Sequence, residues 1–93
     1  MIKSFACKHT EALFGNQRHR RLPANLQASA LRKLRLIDAA DCVEDLQLPP
    51  GNRLEKLSGD RSGQHSIRIN QQYRICFRFE GQHAHAVEIV DYH

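Results

Sequence analysis

Gln64-His65-Ser66-Ile67-Arg68-Ile69-Asn70, followed after two residues by Tyr73-Arg74-Ile75-Cys76-Phe77-Arg78-Phe79-Glu80, alternates with a period of two. Successive side chains of a strand point to opposite faces. His65, Ile67 and Ile69 therefore share one face, as do Tyr73, Ile75, Phe77 and Phe79. Ser66, Arg68, Arg74 and Arg78 take the other. One apolar and one polar face is the pattern of an antiparallel sheet that packs on one side only. Short turns at Asn70-Gln71-Gln72 and Glu80-Gly81-Gln82 predict consecutive hairpins. Ala86-Val87-Glu88-Ile89-Val90 supplies the last strand. Residues 53–57 supply the first, closed by the turn Gly59-Asp60-Arg61-Ser62-Gly63.

Upstream the period changes. Leu22, Leu26, Ala30, Leu34 and Ile37 recur at spacings of three and four, one apolar stripe of a helix running to about Ala40. Pro23 suits its first turn. A shorter helix is predicted over 8–14, stopped by Gly15-Asn16. Residues 2–5 read as a short strand and 41–46 as a helical turn. Pro49-Pro50-Gly51-Asn52 then breaks the chain before the strands begin. The expectation is an α+β fold: two or three N-terminal helices on one face of a small antiparallel sheet, in a single domain over residues 1–93.

With 93 residues, 41% of them hydrophobic and 26% charged, one modest core is expected. No apolar run approaches the roughly 18 residues of a membrane span, and the first residues lack a signal-like apolar region. Cys7, Cys42 and Cys76 form no CxxC pair and read as reduced packing residues of a cytoplasmic protein. The formal net charge is +4, unevenly spread. From Gln17 to Arg35 there are six basic residues (Arg18, Arg20, Arg21, Arg32, Lys33 and Arg35) and no acid. From Leu36 to Leu48 there are four acids, Asp38, Asp41, Glu44 and Asp45, and no base. A one-sign patch suits nucleic acid or an acidic partner.

The polar sheet face and the chain end carry the candidate chemistry. Arginines on central strands are costly to leave unpaired when partly buried, and the guanidinium fork matches phosphate oxygens. For Arg78 a cross-strand ion pair with Glu80 or Glu88 is expected. Arg74 is read as functional, because its strand shares a sheet with the one that delivers Asp91-Tyr92-His93. Histidine exchanges protons near neutrality, and a carboxylate two residues earlier on a strand faces the same way. An arginine, a histidine, a carboxylate and a tyrosine on one concave surface suit RNA cleavage without a metal. A base activates the ribose 2′-hydroxyl, an acid protonates the departing 5′-oxygen, and the arginine stabilises the phosphorane-like charge. The tyrosine can stack on a base. His83 and His85 alternate on one strand face, but no further ligand lies at a compelling spacing, so no metal is expected. No GxSxG, P-loop or GxGxxG occurs, and no cofactor is implied.

These residues resemble the HigB branch of the RelE/ParE toxin superfamily, over essentially the whole chain. The resemblance runs through Met1-Ile2-Lys3-Ser4-Phe5, Pro49-Pro50-Gly51-Asn52-Arg53-Leu54-Glu55 and Leu57-Ser58-Gly59-Asp60-Arg61. It continues in the central strands and ends in Val87-Glu88-Ile89-Val90-Asp91-Tyr92-His93. The Pro-Pro-Gly-Asn loop is similar to that of the GraT-like subset. The resemblance implies a RelE-like fold and a toxin of a type II toxin–antitoxin system that cleaves mRNA on the translating ribosome without a metal. It implies a HigA-like helix-turn-helix antitoxin as partner, with operator DNA engaged indirectly through the toxin–antitoxin complex. Matched positions make Arg74, Asp91, Tyr92 and His93 the catalytic set. Arg18, Arg20, Arg21, Arg32, Lys33, Arg35, Lys56 and Arg68 are the expected RNA or ribosome contacts. Where some relatives carry a histidine in the first central strand and a lysine before the Gly-Asp turn, this chain has Glu55 and Ser58, which implies a weak toxin. Lys56 points away if its strand is regular. The alternatives are a non-catalytic toxin of the same fold acting on another target such as gyrase, or a nucleic-acid or partner-binding module.

Overall fold

Apolar stripes of period 3.6 followed by apolar faces of period two require helices laid on a sheet, and that is what forms. The computed structural model describes residues 1–91. Helix α1 spans Lys8–Phe14 and α2 spans Gln27–Ala39, each followed by 3₁₀ turns or irregular chain. Four strands follow: β1 Glu55–Lys56, β2 His65–Arg68, β3 Tyr73–Glu80 and β4 His83–Asp91. They pair antiparallel in chain order, β1-β2-β3-β4.

The local chemistry explains each boundary. Asn16 takes the left-handed position after α1, with φ 67°. Its N–H donates to Leu13 O at 2.9 Å, and Gln17 N–H donates to Ala12 O at 2.8 Å, closing the last turn. Pro23 lies just before a 3₁₀ turn, Ala24–Leu26, which leads into α2. The expected stripe holds: Leu22, Ala30, Leu34 and Ile37 are buried and Leu26 packs against them. They meet Ile67, Ile75, Phe77, Ala84 and Val87 from the sheet in one core cluster.

Three features depart from the strand-by-strand expectation. The first strand is two residues, not five, because Arg53 adopts a left-handed conformation (φ 45°) on leaving the 3₁₀ turn Pro50–Asn52. Asn52, fully buried, anchors that turn. Its Nδ2 donates to Leu46 O and Leu48 O, both at 3.2 Å, and its Oδ1 accepts from Lys33 Nζ. The 2–5 segment is not a regular strand; Ile2 and Phe5 make isolated parallel bridges to Ala84 and Val87. Finally, β4 carries a bulge. Ala86 has φ 54°, and the pairing with β3 shifts register between Cys76 and Arg78. The extra residue puts both Ala84 and Val87 into the core although their separation is odd. Ser4 Oγ accepts the Ala86 N–H at 2.9 Å, so the N-terminal segment supports the irregularity.

Candidate functional site

Arg74 sits near the start of β3, where Arg68 of β2 and Val90 of β4 flank it. It is only 7% exposed. A buried guanidinium must be hydrogen-bonded on several sides, and this one is. Nε donates to Ser66 Oγ at 2.8 Å, and Nη2 donates to Arg53 O at 2.7 Å. Glu55, in the position where some relatives were expected to carry a histidine, lies 3.9 Å from Nη2. The left-handed turn at Arg53 is what aims its carbonyl at Arg74.

The polar sheet face is not the open surface expected from the alternation. Ser66 and Cys76 are fully buried on it. Arg61 reaches over from the 3₁₀ turn Gly59–Arg61 to pair with Glu88 at 2.9 Å, and it also donates to Gln64 Oε1. Glu88 thus pairs with Arg61 and not with Arg78, which is exposed. Burial pushes the Cys76 thiol up; Arg61 pulls it down, Glu88 up and Arg74 down. A raised thiol pKa makes a poor nucleophile, as its mid-strand position suggested. Lys56 pairs with His65, so it points to the face opposite Ser66 and Arg74, as regular alternation required.

Asp91 pairs with Tyr73, one residue from the Arg74–Val90 pair. Alternation therefore puts Asp91 and Tyr73 on the helix side of the sheet and Arg74 on the other. The two groups meet at the same end of the sheet but not on one face. Asp91 Oδ2 accepts from Gln72 Nε2 at 3.1 Å. The chain continues from here into Tyr92 and His93, whose assigned roles lie outside the described residues.

The basic stretch divides. Arg18, Arg20, Arg21, Arg32 and Arg35 are exposed. Lys33 is half-buried, donates to Asn52 Oδ1, and has its pKa lowered by burial and then by Arg32. That bond ties its ammonium to the Pro50–Asn52 turn. Arg68 is half-buried opposite Arg74. His83 and His85 share a strand face as expected. Among the described residues no three His, Cys, Asp or Glu groups cluster to hold a metal, and no helix is long and apolar enough to cross a membrane.

His19 interrupts the arginine run and gives no periodic signal in the sequence that would mark it. It is 5% exposed and lies with its ring centroid 5.5 Å from that of His9. Burial lowers its pKa, with His9 adding to the effect; its own backbone opposes and Arg21 lowers it further. A histidine whose folded pKa lies below the ordinary 6.5 binds a proton more readily unfolded. Its contribution to stability is complete above pH 6.5 and is lost as pH falls below that value. The urea midpoint should therefore drop on mild acidification, and His19→Gln should shrink the drop. An equal drop in the variant would place the pH dependence elsewhere.

Residues 3–93 match the family described as RelE-like toxin of type II toxin-antitoxin system HigB. Toxin HigB-1 of Vibrio cholerae is 45% identical over 80 residues, covering 85% of this chain and 84% of that protein. Endoribonuclease HigB of Proteus vulgaris is 33% identical over 93 residues, covering all of both. The fold matches a chain of a solved YoeB-YefM complex from Staphylococcus aureus with a TM-score of 0.62 at 16% identity, covering 100% of this chain and 98% of that one. The matched span takes in both helices, the bulged four-stranded sheet and the Arg74 end of it, and so the chain belongs to the HigB-like family of RelE-like toxins.

Proposed function

We propose that this type II toxin is an endoribonuclease that cleaves mRNA on the translating ribosome, with Arg74, Asp91, Tyr92 and His93 as its catalytic set. The observation that carries the reading is the setting of Arg74. Its guanidinium is held by Ser66 Oγ and Arg53 O at the end of the sheet where Asp91 pairs with Tyr73. A donor fixed before the substrate arrives costs no reorganisation when charge develops on phosphorus. The ribose 2′-oxygen loses its proton to a base and attacks phosphorus. The 5′-oxygen departs and takes a proton from an acid. Arg74 neutralises charge on the non-bridging oxygens between these events. The endoribonuclease name carried by the Proteus vulgaris relative supports the reaction class.

Glu55 bears on the rate. Its carboxylate stands 3.9 Å from Arg74, so part of the cation's field is already answered before phosphate arrives. This supports the expectation of a weak toxin. The partner is a helix-turn-helix, HigA-like antitoxin, and the pair engages operator DNA through the antitoxin. The fold's resemblance to a chain from a toxin–antitoxin complex agrees with an antitoxin partner.

Arg32 and Arg35 provide the ribosome test. Both are exposed on α2, their guanidinium groups held loosely by Ser29 Oγ at 3.1 Å and Asn16 Oδ1 at 3.3 Å. Phosphate contacts dominate affinity for nucleic acid and release counterions. Arg32→Glu with Arg35→Glu should weaken ribosome association in sedimentation and flatten its dependence on salt, with the fold unchanged. Unchanged ribosome association together with a broken antitoxin complex would assign this helix face to the antitoxin. The reaction itself is tested by mapping RNA ends after brief expression of the wild type and of His93→Ala. Discrete new ends within translated frames, absent from the variant, are expected; the same new ends in both would remove His93 from the catalytic set, and no new ends in the wild type would remove the nuclease assignment.

A further inference from the structure

A groove of about 400 Å³ lies where α2 meets the loop at Pro49, lined by Arg32, Lys33, Arg35, Leu36 and Pro49. Arg32 lies three and four residues before Arg35 and Leu36, so the three are neighbours on the helix surface. The floor is apolar. Leu36 is 37% exposed, Pro49 is exposed, and Leu48, the residue before it, is 69% exposed. Lys33 adds its methylene stem, because its ammonium is bound to Asn52 Oδ1. A single exposed leucine means little, but contiguous apolar surface rimmed by polar groups marks an interaction site. Among the described residues the other large hydrophobic side chain left this open is Met1, outside the groove.

The exposure is built into the loop. Asn52 is fully buried, and its Nδ2 donates to Leu46 O and Leu48 O, both at 3.2 Å. Leu48 N–H donates to Asp45 O at 3.5 Å. The backbone is thus anchored so that Leu46 is buried, at 1% exposure, while Leu48 stays outside. A surface fixed before its partner arrives loses little freedom on binding.

We infer that this groove docks the antitoxin, through a segment that lays an apolar side chain on Leu36, Leu48 and Pro49 and sets carboxylates against Arg32 and Arg35. The charge balance selects that partner. Both arginines are exposed, each has a neutral oxygen as partner (Ser29 Oγ or Asn16 Oδ1), and no acid lines the groove. Carboxylates match the guanidinium fork. A second copy of this chain is disfavoured, because across a two-fold axis the same arginines would face each other. RNA can use the rim but not the floor: phosphate gains nothing from apolar surface, and no aromatic ring lines the groove on which a base could stack. Arg32 and Arg35 stay open to ribosomal RNA whenever the antitoxin is absent. The docking site rests on the antitoxin partner proposed above and is independent of the ribonuclease chemistry.

The test titrates the purified full-length antitoxin into the full toxin chain by calorimetry. Leu48→Asp and Leu36→Asp should each weaken binding at least about tenfold, the order of one lost anchor residue. Arg35→Ala should weaken it less and reduce its dependence on salt. Arg78→Ala, an exposed arginine on the sheet face away from the helices, should bind as the wild type does. Ribosome association of Leu48→Asp should match that of the wild type in sedimentation, which separates the floor from the rim. Should Leu36→Asp unfold, Leu48→Asp decides alone, since that side chain is mostly in solvent. Antitoxin affinity unchanged in folded Leu48→Asp overturns the docking site. So does a wild-type dimer in the ultracentrifuge that Leu48→Asp dissolves, which would give the groove to a second copy. An antitoxin that fails to bind even the wild type would overturn the partner reading itself, a result distinct from equal binding by wild type and variant.

Discussion

Removing the last two residues, or substituting His93→Ala, should abolish growth inhibition while leaving a folded, soluble protein. Histidine is the side chain best able to give and take a proton near neutrality, and losing a proton-transfer group typically costs about 10²–10⁴ in rate. Chain ends typically contribute little to a core, and among the described residues of β4, Ile89 is the last that packs against the core cluster. Denaturant unfolding of the truncated protein should thus overlay that of the wild type. A truncated chain that folds and remains fully toxic would show that the terminus takes no part in proton transfer.

Arg74→Ala should lower RNA cleavage by about 10²–10³, the typical consequence of deleting one preorganised donor to a developing oxyanion. Its structural cost must be measured alongside. The substitution leaves Ser66 Oγ and Arg53 O without the donors they have now, which typically costs about 1–3 kcal/mol for buried groups. Arg74→Lys separates the two effects, since an ammonium keeps the charge but cannot reach Ser66 and Arg53 with one planar fork. Partial rescue of cleavage by lysine, at a stability close to that of the alanine variant, is the expected pattern. Ser66→Ala tests positioning: it removes the Nε partner alone and should lower cleavage less than Arg74→Ala does. Cleavage by folded Arg74→Ala at the wild-type rate would make the arginine a structural clamp for the Arg53 turn.

Much of the fold was legible before the structure. The stripe Leu22, Leu26, Ala30, Leu34 and Ile37 could be read because a helix that must cover a sheet repeats its apolar residues at its own period. The alternation through 64–70 and 73–80 was legible for the same reason at period two. The Asn70 turn could also be anticipated. Its Oδ1 accepts from Gln72 N–H at 2.9 Å and Tyr73 N–H at 2.7 Å, local bonds that need no distant partner. What could not be read was anything that depends on residues far apart in the chain. The shortened first strand follows from the Arg53 turn, which in turn is organised by buried Asn52 and Lys33.

The site divides along the same line. Residue type and order alone marked Arg74 as a phosphate-compatible group on a central strand, and placed Asp91 at the end of the last one. They also excluded a membrane-spanning helix within 1–91, because such a helix needs a long apolar run that composition alone can rule out. Only the tertiary structure decided which surfaces are open. Period-two alternation tells which side chains share a face, not what is laid over that face. Arg61 reaching Glu88 and the Arg53 carbonyl reaching Arg74 cover a sheet surface that the pattern left bare. The bulge at Ala86 depends on Ser4, eighty-two positions away. His19 became visible as a buried, unmet donor only once Arg21, Gln27 and the end of β4 had been brought around it. Burial and hydrogen-bond satisfaction are sums over neighbours in space, and a linear sequence lists neighbours along the chain only.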